Sequence, residues 1–454
     1  MKIIARSQAK IILWPEIQTI TDEELRTVTQ NNAGSSRDRD QALRQLIKEK
    51  AKYAVLSHRW YDDREEPTFQ GFSSRKTKSL QGYKKLLRFC KKARNEYGCI
   101  LAWADTCCID KTSSSELDEA IRSMFRWYTN SSICITYLGD SATPADFHDE
   151  TWFTRGWTLQ ELLAPARLKF YGKSWIPISH SSNDKQDTAI LNAISRVTNI
   201  PEDDIASFVP GTQKVRERMM WASKRRTTRI EDIAYSLIGM FDVSLTIAYG
   251  EGDRAFYRLM VEVVQSCYEW DIFLFEGDSS SFHFALPQSP NSYHELPSSW
   301  SEWNRSHPLG NKWFSLSKRG LQLKLLLVAI KPVPHNTQDD HVFSVALNKT
   351  TEHPDIFEHA LALVTRAVGL RVSHLTGSNP DADQFAVGIV DFNRSVHEGE
   401  GHLIGGRDYF CFLTRQRFAD DKWEVVETLG PIVIHCKRNL HNQPISDVIA
   451  TDMH

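Results

Sequence analysis

A single carboxylate, Glu161, stands in the segment Trp152-Phe-Thr-Arg-Gly-Trp-Thr-Leu-Gln-Glu-Leu-Leu-Ala-Pro165, in the first turn of a predicted helix behind an aromatic-rich loop. Held in a dry pocket, one carboxylate can stabilise positive charge as it develops on a reacting group. The spacing Thr158-x-x-Glu161 also fits a capping box, in which the glutamate side chain reaches back to a backbone N–H. Both roles stand on the sequence. Glu161→Gln separates them, because glutamine can cap a helix but supplies no negative charge.

Further candidate groups follow short apolar runs. Ser57-His-Arg-Trp60 reads either as a set of ligand contacts or as a polar turn anchored by Trp60. Asp105 and Asp110 suit turns and helix starts, where aspartate bonds nearby backbone; Asp105 leans to a pocket because it ends an apolar run. Cys107 and Cys108, with His58, supply the parts of a Cys-His nucleophile, although adjacent cysteines after an apolar strand are more often packed thiols. Arg225, Arg226 and Arg229 carry charge suited to phosphate, yet short charge runs are usually solvated helix faces. Tyr249-Gly-Glu-Gly252 lacks the G-x-G-x-x-G and P-loop spacings and reads as a turn.

Positioning these groups falls to alternating elements. Four apolar runs, 53–57, 100–105, 133–139 and 168–172, have the length of buried strands. Between them lies a helix over 80–97 and a second with Leu117, Ala120, Ile121, Met124, Phe125 and Tyr128 on one face, introduced by the capping-box spacing Ser113-x-x-Glu116. Strands alternating with helices imply an α/β fold, a parallel sheet flanked by helices. In such sheets ligands bind beyond the carboxyl ends of the strands. That rule gathers Ser57–Trp60, 105–111, Gly139-Asp140 and the turn before Glu161 toward one pocket. Residues 185–275 read as a helical extension packed on this domain, with candidate helices at 215–222, 230–241 (after Thr228-x-x-Glu231) and 255–267. Beyond them, turn-rich linkers (287–299) and alternating runs at 314–330, 342–347, 385–390, 409–414 and 423–434 predict a β-rich C-terminal domain over 276–454. The first domain spans 1–184, with a polar insertion over 15–52.

At 454 residues, with 41% hydrophobic and 25% charged residues and a net charge of -2, the chain belongs with multidomain globular proteins rather than with disordered or nucleic-acid-coating ones. No run approaches the ~20 apolar residues that cross a bilayer, and the start lacks a cleavage-site pattern, so a cytoplasmic location is expected. The eight cysteines lack C-x-x-C pairs and zinc-finger partners, which points to reduced thiols and to no structural metal.

Three ordered motifs, Tyr53-Ala-Val-Leu-Ser-His-Arg-Trp60, Trp103-Ala-Asp-Thr-Cys-Cys-Ile-Asp-Lys111 and Arg155-Gly-Trp-Thr-Leu-Gln-Glu-Leu-Leu-Ala-Pro165, resemble the fungal heterokaryon-incompatibility (HET) domain family. Segments like Arg225-Arg-Thr-Thr-Arg-Ile-Glu-Asp232 and Tyr249-Gly-Glu-Gly-Asp-Arg-Ala-Phe256 extend the resemblance over roughly 50–275. Tyr61, where glycine is common, and Ala104, where a larger aliphatic is usual, depart from the pattern. The resemblance implies a role in allorecognition and programmed cell death, with an incompatibility or immune-receptor partner.

The order of motifs is also similar, more distantly, to Toll/interleukin-1 receptor (TIR) domains, which implies a flavodoxin-like sheet. Gly156-Trp-Thr-Leu-Gln-Glu-Leu162 resembles the segment that carries the catalytic glutamate of NAD-cleaving TIR enzymes, and that glutamate falls on Glu161. NAD or a related nucleotide is then the substrate rather than a cofactor, and self-association completes the site. Ser57, His58, Arg59, Trp60, Asp105 and Trp157 are the corresponding binding candidates, with Trp60 or Trp157 stacking on a planar ring and Arg59 meeting the pyrophosphate. A non-enzymatic signalling or scaffold module is the alternative.

Overall fold

A computed structural model describes residues 2–5, 10–13, 52–293 except 63, 73 and 75, and then 314–317, 320–330, 333–334, 343–344, 384–390, 392–394, 400–416, 422–426, 432–436 and 438–450. The chain folds as two units. One comprises residues 1–211 and 225–249, the other 212–224 and 250–454. The insertion expected over 15–52 lies outside the described residues save Lys52, as does most of the strand expected at 342–347.

In the first unit, β1 (Lys2–Ala5) and β2 (Lys10–Leu13) form a hairpin. The sheet continues through β3 (Tyr53–His58), β4 (Leu101–Trp103), β5 (Ile133–Tyr137) and β6 (Leu168–Tyr171), in the order β2-β1-β4-β3-β5-β6. Strands β4, β3, β5 and β6 are mutually parallel, and β1 joins β4 antiparallel. All but one residue of the parallel strands is buried, which is why each reads as a mostly apolar run instead of an alternating one. Along the four parallel strands the chain order is second-first-third-fourth, so the sheet reverses at β3 and a crevice opens beyond the carboxyl ends of β3 and β5.

Helix α1 (Gln81–Tyr97) contacts β3 and β5. It buries Tyr83, Leu86, Phe89 and Ala93, and ends at Gly98 in the left-handed region (φ 67°) with Gly98 N–H bonded to Arg94 O at 3.1 Å, an αL closure. Helix α2 (Ser114–Thr129) buries the stripe Ala120, Ile121, Met124, Phe125 and Tyr128. Its cap is half the expected box: Ser113 Oγ accepts from Glu116 N–H at 3.4 Å, while the Glu116 carboxylate accepts from Asp110 N–H at 2.9 Å. Helix α3 (Thr158–Leu163) is only six residues long and every one is buried.

Next to α3, a buried ion pair fixes β6 to the loop that follows it. Lys169 Nζ lies 2.9 Å from Asp184 Oδ1 and 2.8 Å from the carbonyls of Ser179 and Ser181, and Asp184 Oδ2 accepts from Phe170 N–H at 2.6 Å. Asp184 is fully buried and Lys169 nearly so.

The continuous helix expected over 230–241 is instead two short helical turns, Asp232–Tyr235 and Ile238–Phe241. Between them the backbone tightens to i→i−3 bonds, Leu237 N–H to Ala234 O and Met240 N–H to Leu237 O. The Thr228-x-x-Glu231 box does not form: the helical turn starts at Asp232 with no side-chain cap.

In the second unit, helices Val215–Ser223 and Arg254–Ser266 bury their apolar faces against the turn at Pro290–Ser292 and the strands Phe314–Ser317 and His283–Pro287. Among the described residues the β-rich region holds a nine-stranded sheet. Five of its strands, 320–330, 384–389, 407–416, 423–426 and 440–450, pair in a closed ring, which removes their free edges. Among the described residues no helix is long and apolar enough to cross a membrane.

Candidate functional site

The reversal of the sheet at β3 places its last two residues, Ser57 and His58, against the start of α3. Ser57 Oγ donates to Glu161 Oε2 at 2.5 Å and accepts from Trp152 Nε1 at 2.8 Å, so a buried relay runs from indole to hydroxyl to carboxyl. The capping-box role of Glu161 is therefore overturned. Trp157, not Thr158, is the N-cap residue, and it makes no side-chain cap. The Thr158 hydroxyl lies 2.6 Å from the Trp152 carbonyl and 2.9 Å from that of Arg155, which turns it away from the helix start.

Glu161 is 6% exposed. Burial, and then the charge of Asp105, push its carboxyl up to about 8, against the opposing pull of the Ser57 bond, Arg155 and Tyr128. A carboxyl so placed holds its proton at neutral pH, and a cation arriving beside it favours the ionised form. Burial also raises Asp105, whose Oδ2 accepts from Trp60 Nε1 at 2.9 Å.

Around these carboxyls lies a cavity of about 680 Å³, the size of a small-ligand site. Glu161, Asp105, His58, Arg59, Trp60 and Trp157 all line it, with Ser57 directly behind Glu161. The structure thus brings every site residue expected from the sequence to one place, though not always in the expected posture. One face of the Trp60 ring is covered by the Lys111 ammonium, 3.6 Å from its centroid. Arg59 is engaged at the exposed rim, 2.8 Å from Thr151 Oγ1 and 3.5 Å from Asp140 Oδ2. His58 is buried with neither ring nitrogen bonded. Burial, aided by Lys85, Arg155 and Lys111, holds its pKa well below the usual range, so the ring is neutral. No thiol meets that ring, and burial drives the Cys107 thiol far up, so the Cys-His nucleophile does not form.

Sequence reasoning raised Arg226 and Arg229 as phosphate contacts but did not place them in one wall of the cavity. Arg155, Arg226, Arg229, Asp232 and Tyr249 line it too. The arginine run is not a helix face. Arg226 N–H bonds Thr154 O at 2.7 Å and Gly156 N–H bonds Arg226 O at 2.8 Å, which makes a parallel bridge between Arg155 and Arg226. Arg225 is buried beneath the bridge, donating to Arg155 O at 2.9 Å and Thr158 Oγ1 at 3.0 Å, and burial lowers its guanidinium to about 9. The Arg229 guanidinium sits 4.3 Å over the Tyr249 ring, whose hydroxyl donates to Asp232 Oδ1 at 2.8 Å. The spacing of the three arginines, i, i+1 and i+4, fits a helix face as well as a wall, so the sequence alone carried no signal for this arrangement.

Close approach of the two backbones needs Gly156, because a Cβ there would overlap the Thr227 methyl. Gly156→Ala is expected to lose about 1–3 kcal/mol of stability, the range for overpacking, and Thr227→Ser in the same chain to recover part of it. Urea unfolding checks this: equal stability of Gly156→Ala and the unaltered chain refutes the contact.

Residues 53–148 match the model of a family described as Heterokaryon incompatibility protein (HET). The chain is 41% identical over 223 residues to Vegetative incompatibility protein HET-E-1 of Podospora anserina, an alignment that covers 46% of this chain and 16% of that protein. The chain therefore spans less than a fifth of that relative's length. No solved structure matches.

Proposed function

This chain carries a heterokaryon-incompatibility (HET) domain, and on that premise we propose that it is a cell-death effector whose first unit hydrolyses NAD at the nicotinamide–ribose bond through Glu161. The observation that carries the reading is the setting of Glu161: a buried carboxyl facing a cavity, bonded across to Ser57 and released from any capping duty. The likeness of the 156–162 segment to the catalytic segment of TIR enzymes, and the second-first-third-fourth strand order, agree with it.

Cleavage sends the glycosidic electron pair to the pyridinium nitrogen, so nicotinamide leaves neutral and needs no general acid. The ribose is left with oxocarbenium character, and water then adds at the same carbon and loses a proton to give ADP-ribose. Glu161, itself buried at the cavity wall, supplies the negative charge that this cation needs. Ser57 holds the carboxylate in place, and Trp152 holds Ser57. Self-association raises activity in this reading, and an incompatibility partner triggers it.

Concentrated full-length protein incubated with NAD tests the proposal, with free nicotinamide as the readout. Release that depends on Glu161 supports it. No release at any protein concentration overturns it and leaves a signalling module without chemistry. The pH profile is a second check. Glu161 must be ionised to act and holds its proton up to about 8, so release should rise about tenfold per pH unit below that value and level off above it. A profile flat between pH 6 and 9 removes Glu161 from the rate-limiting ionisation.

A further inference from the structure

The backbone bridge between Arg155 and Arg226 sets two guanidinium-bearing residues side by side on the cavity wall. Residues paired directly across a β-bridge project to the same side, and like charges placed so repel. Among the described residues neither guanidinium makes a hydrogen bond or ion pair within the chain. Arg59 differs, being tied to Thr151 and Asp140. Arg225 differs too, its guanidinium being used to brace the bridge from below. A structure that spends a buried arginine and a glycine contact on keeping two cations adjacent, facing a cavity, is built for a doubly charged anion. Planar guanidinium groups match the geometry of phosphate oxygens.

We propose that Arg155 and Arg226 form the diphosphate-binding subsite of this cavity, and that its ligand is a nucleoside diphosphate or a dinucleotide that contains one. The unbonded, neutral imidazole of buried His58 supplies a polar contact on the same cavity for the uncharged part of the ligand. The subsite lies outside the family-matched residues 53–148, so the matched segment alone does not hold the ligand. The inference rests on the NAD reading only for the choice of nucleotide.

The test uses full-length Glu161→Gln protein, which excludes turnover, and titrates ADP, adenosine and inorganic pyrophosphate by calorimetry. ADP is expected to bind at least about tenfold more tightly than adenosine, the worth of charge-assisted bonds, and more tightly than pyrophosphate. Arg226→Ala, at an exposed position that leaves the backbone bridge intact, should remove most of the ADP advantage while adenosine binding stays unchanged. Arg226→Lys should restore only part of it. Adenosine binding equal to ADP, pyrophosphate binding equal to ADP, no ADP binding at all, or an Arg226→Ala protein that binds ADP normally would each overturn the subsite. Arginine-dependent ADP binding by a protein that never releases nicotinamide would sustain the subsite and defeat the hydrolase reading.

Discussion

Glu161→Gln is expected to fold normally and to release nicotinamide from NAD at least about a hundredfold more slowly than the unaltered chain, the scale on which loss of one pre-set electrostatic partner slows a reaction. Glutamine has the same shape and can still accept from Ser57 Oγ, so packing and the relay from Trp152 persist. Only the charge is lost. Glu161→Ala removes the bond as well and should be no more active. The same exchange has a signature in stability. The native carboxyl keeps its proton up to about 8, whereas the unfolded one releases it near 4.5. The folded state therefore binds the extra proton, and stability falls as pH rises from about 4.5 to about 8. Glutamine does not titrate, so the melting temperature of Glu161→Gln should gain on that of the unaltered chain across this window. Thermal melts at pH 5 and pH 9 decide it: a constant difference would mean that Glu161 is not buried with a raised pKa.

Asp184→Ala is expected to cost about 3–5 kcal/mol, the penalty for leaving one partner of a buried ion pair without the other. The Lys169 ammonium would keep the carbonyls of Ser179 and Ser181 but lose its only carboxylate among the described residues. Phe170 N–H would lose its acceptor at the same time. Asp184→Asn keeps an oxygen for Phe170 N–H and should fall between. Replacing both ends, Lys169→Met with Asp184→Leu, should recover more than half of the loss, since neither charge is then stranded. Urea denaturation measures all four proteins. A loss below 1 kcal/mol for Asp184→Ala would mean that water reaches the pair.

The sheet was legible because parallel strands covered on both faces carry their own signature: 53–57, 133–139 and 168–172 are mostly apolar runs, broken by single polar residues such as Lys169, and the structure places strands inside each. Helix α2 was legible from one stripe and one serine. The strand-end rule then located Ser57, His58, Arg59, Trp60, Asp105 and Trp157 around Glu161 without any knowledge of distance. What remained hidden depended on contacts that residue spacing does not reveal. Thr158-x-x-Glu161 satisfies a capping box on paper, but the carbonyls of Trp152 and Arg155 claim the threonine hydroxyl first. The arginines at 225–229 look like any solvated charge run until the bridge to Thr154–Gly156 is known. Strand β1 was not legible, because its partner β4 lies nearly a hundred positions later.

The two units are not consecutive in the chain. After residue 211 the chain leaves the first unit for thirteen residues, returns for 225–249, and leaves again. During synthesis the sheet, Ser57 and Glu161 therefore emerge well before Arg226, Asp232 and Tyr249, which close the cavity. A ribosome-bound chain halted near residue 211 owns the carboxyl and lacks the wall that faces it. The same interleaving means that recombination cannot transplant the cavity as a segment ending at 148 or at 211. Any exchange that keeps it must run past Tyr249 and carry 212–224, a piece of the neighbouring unit, along with it.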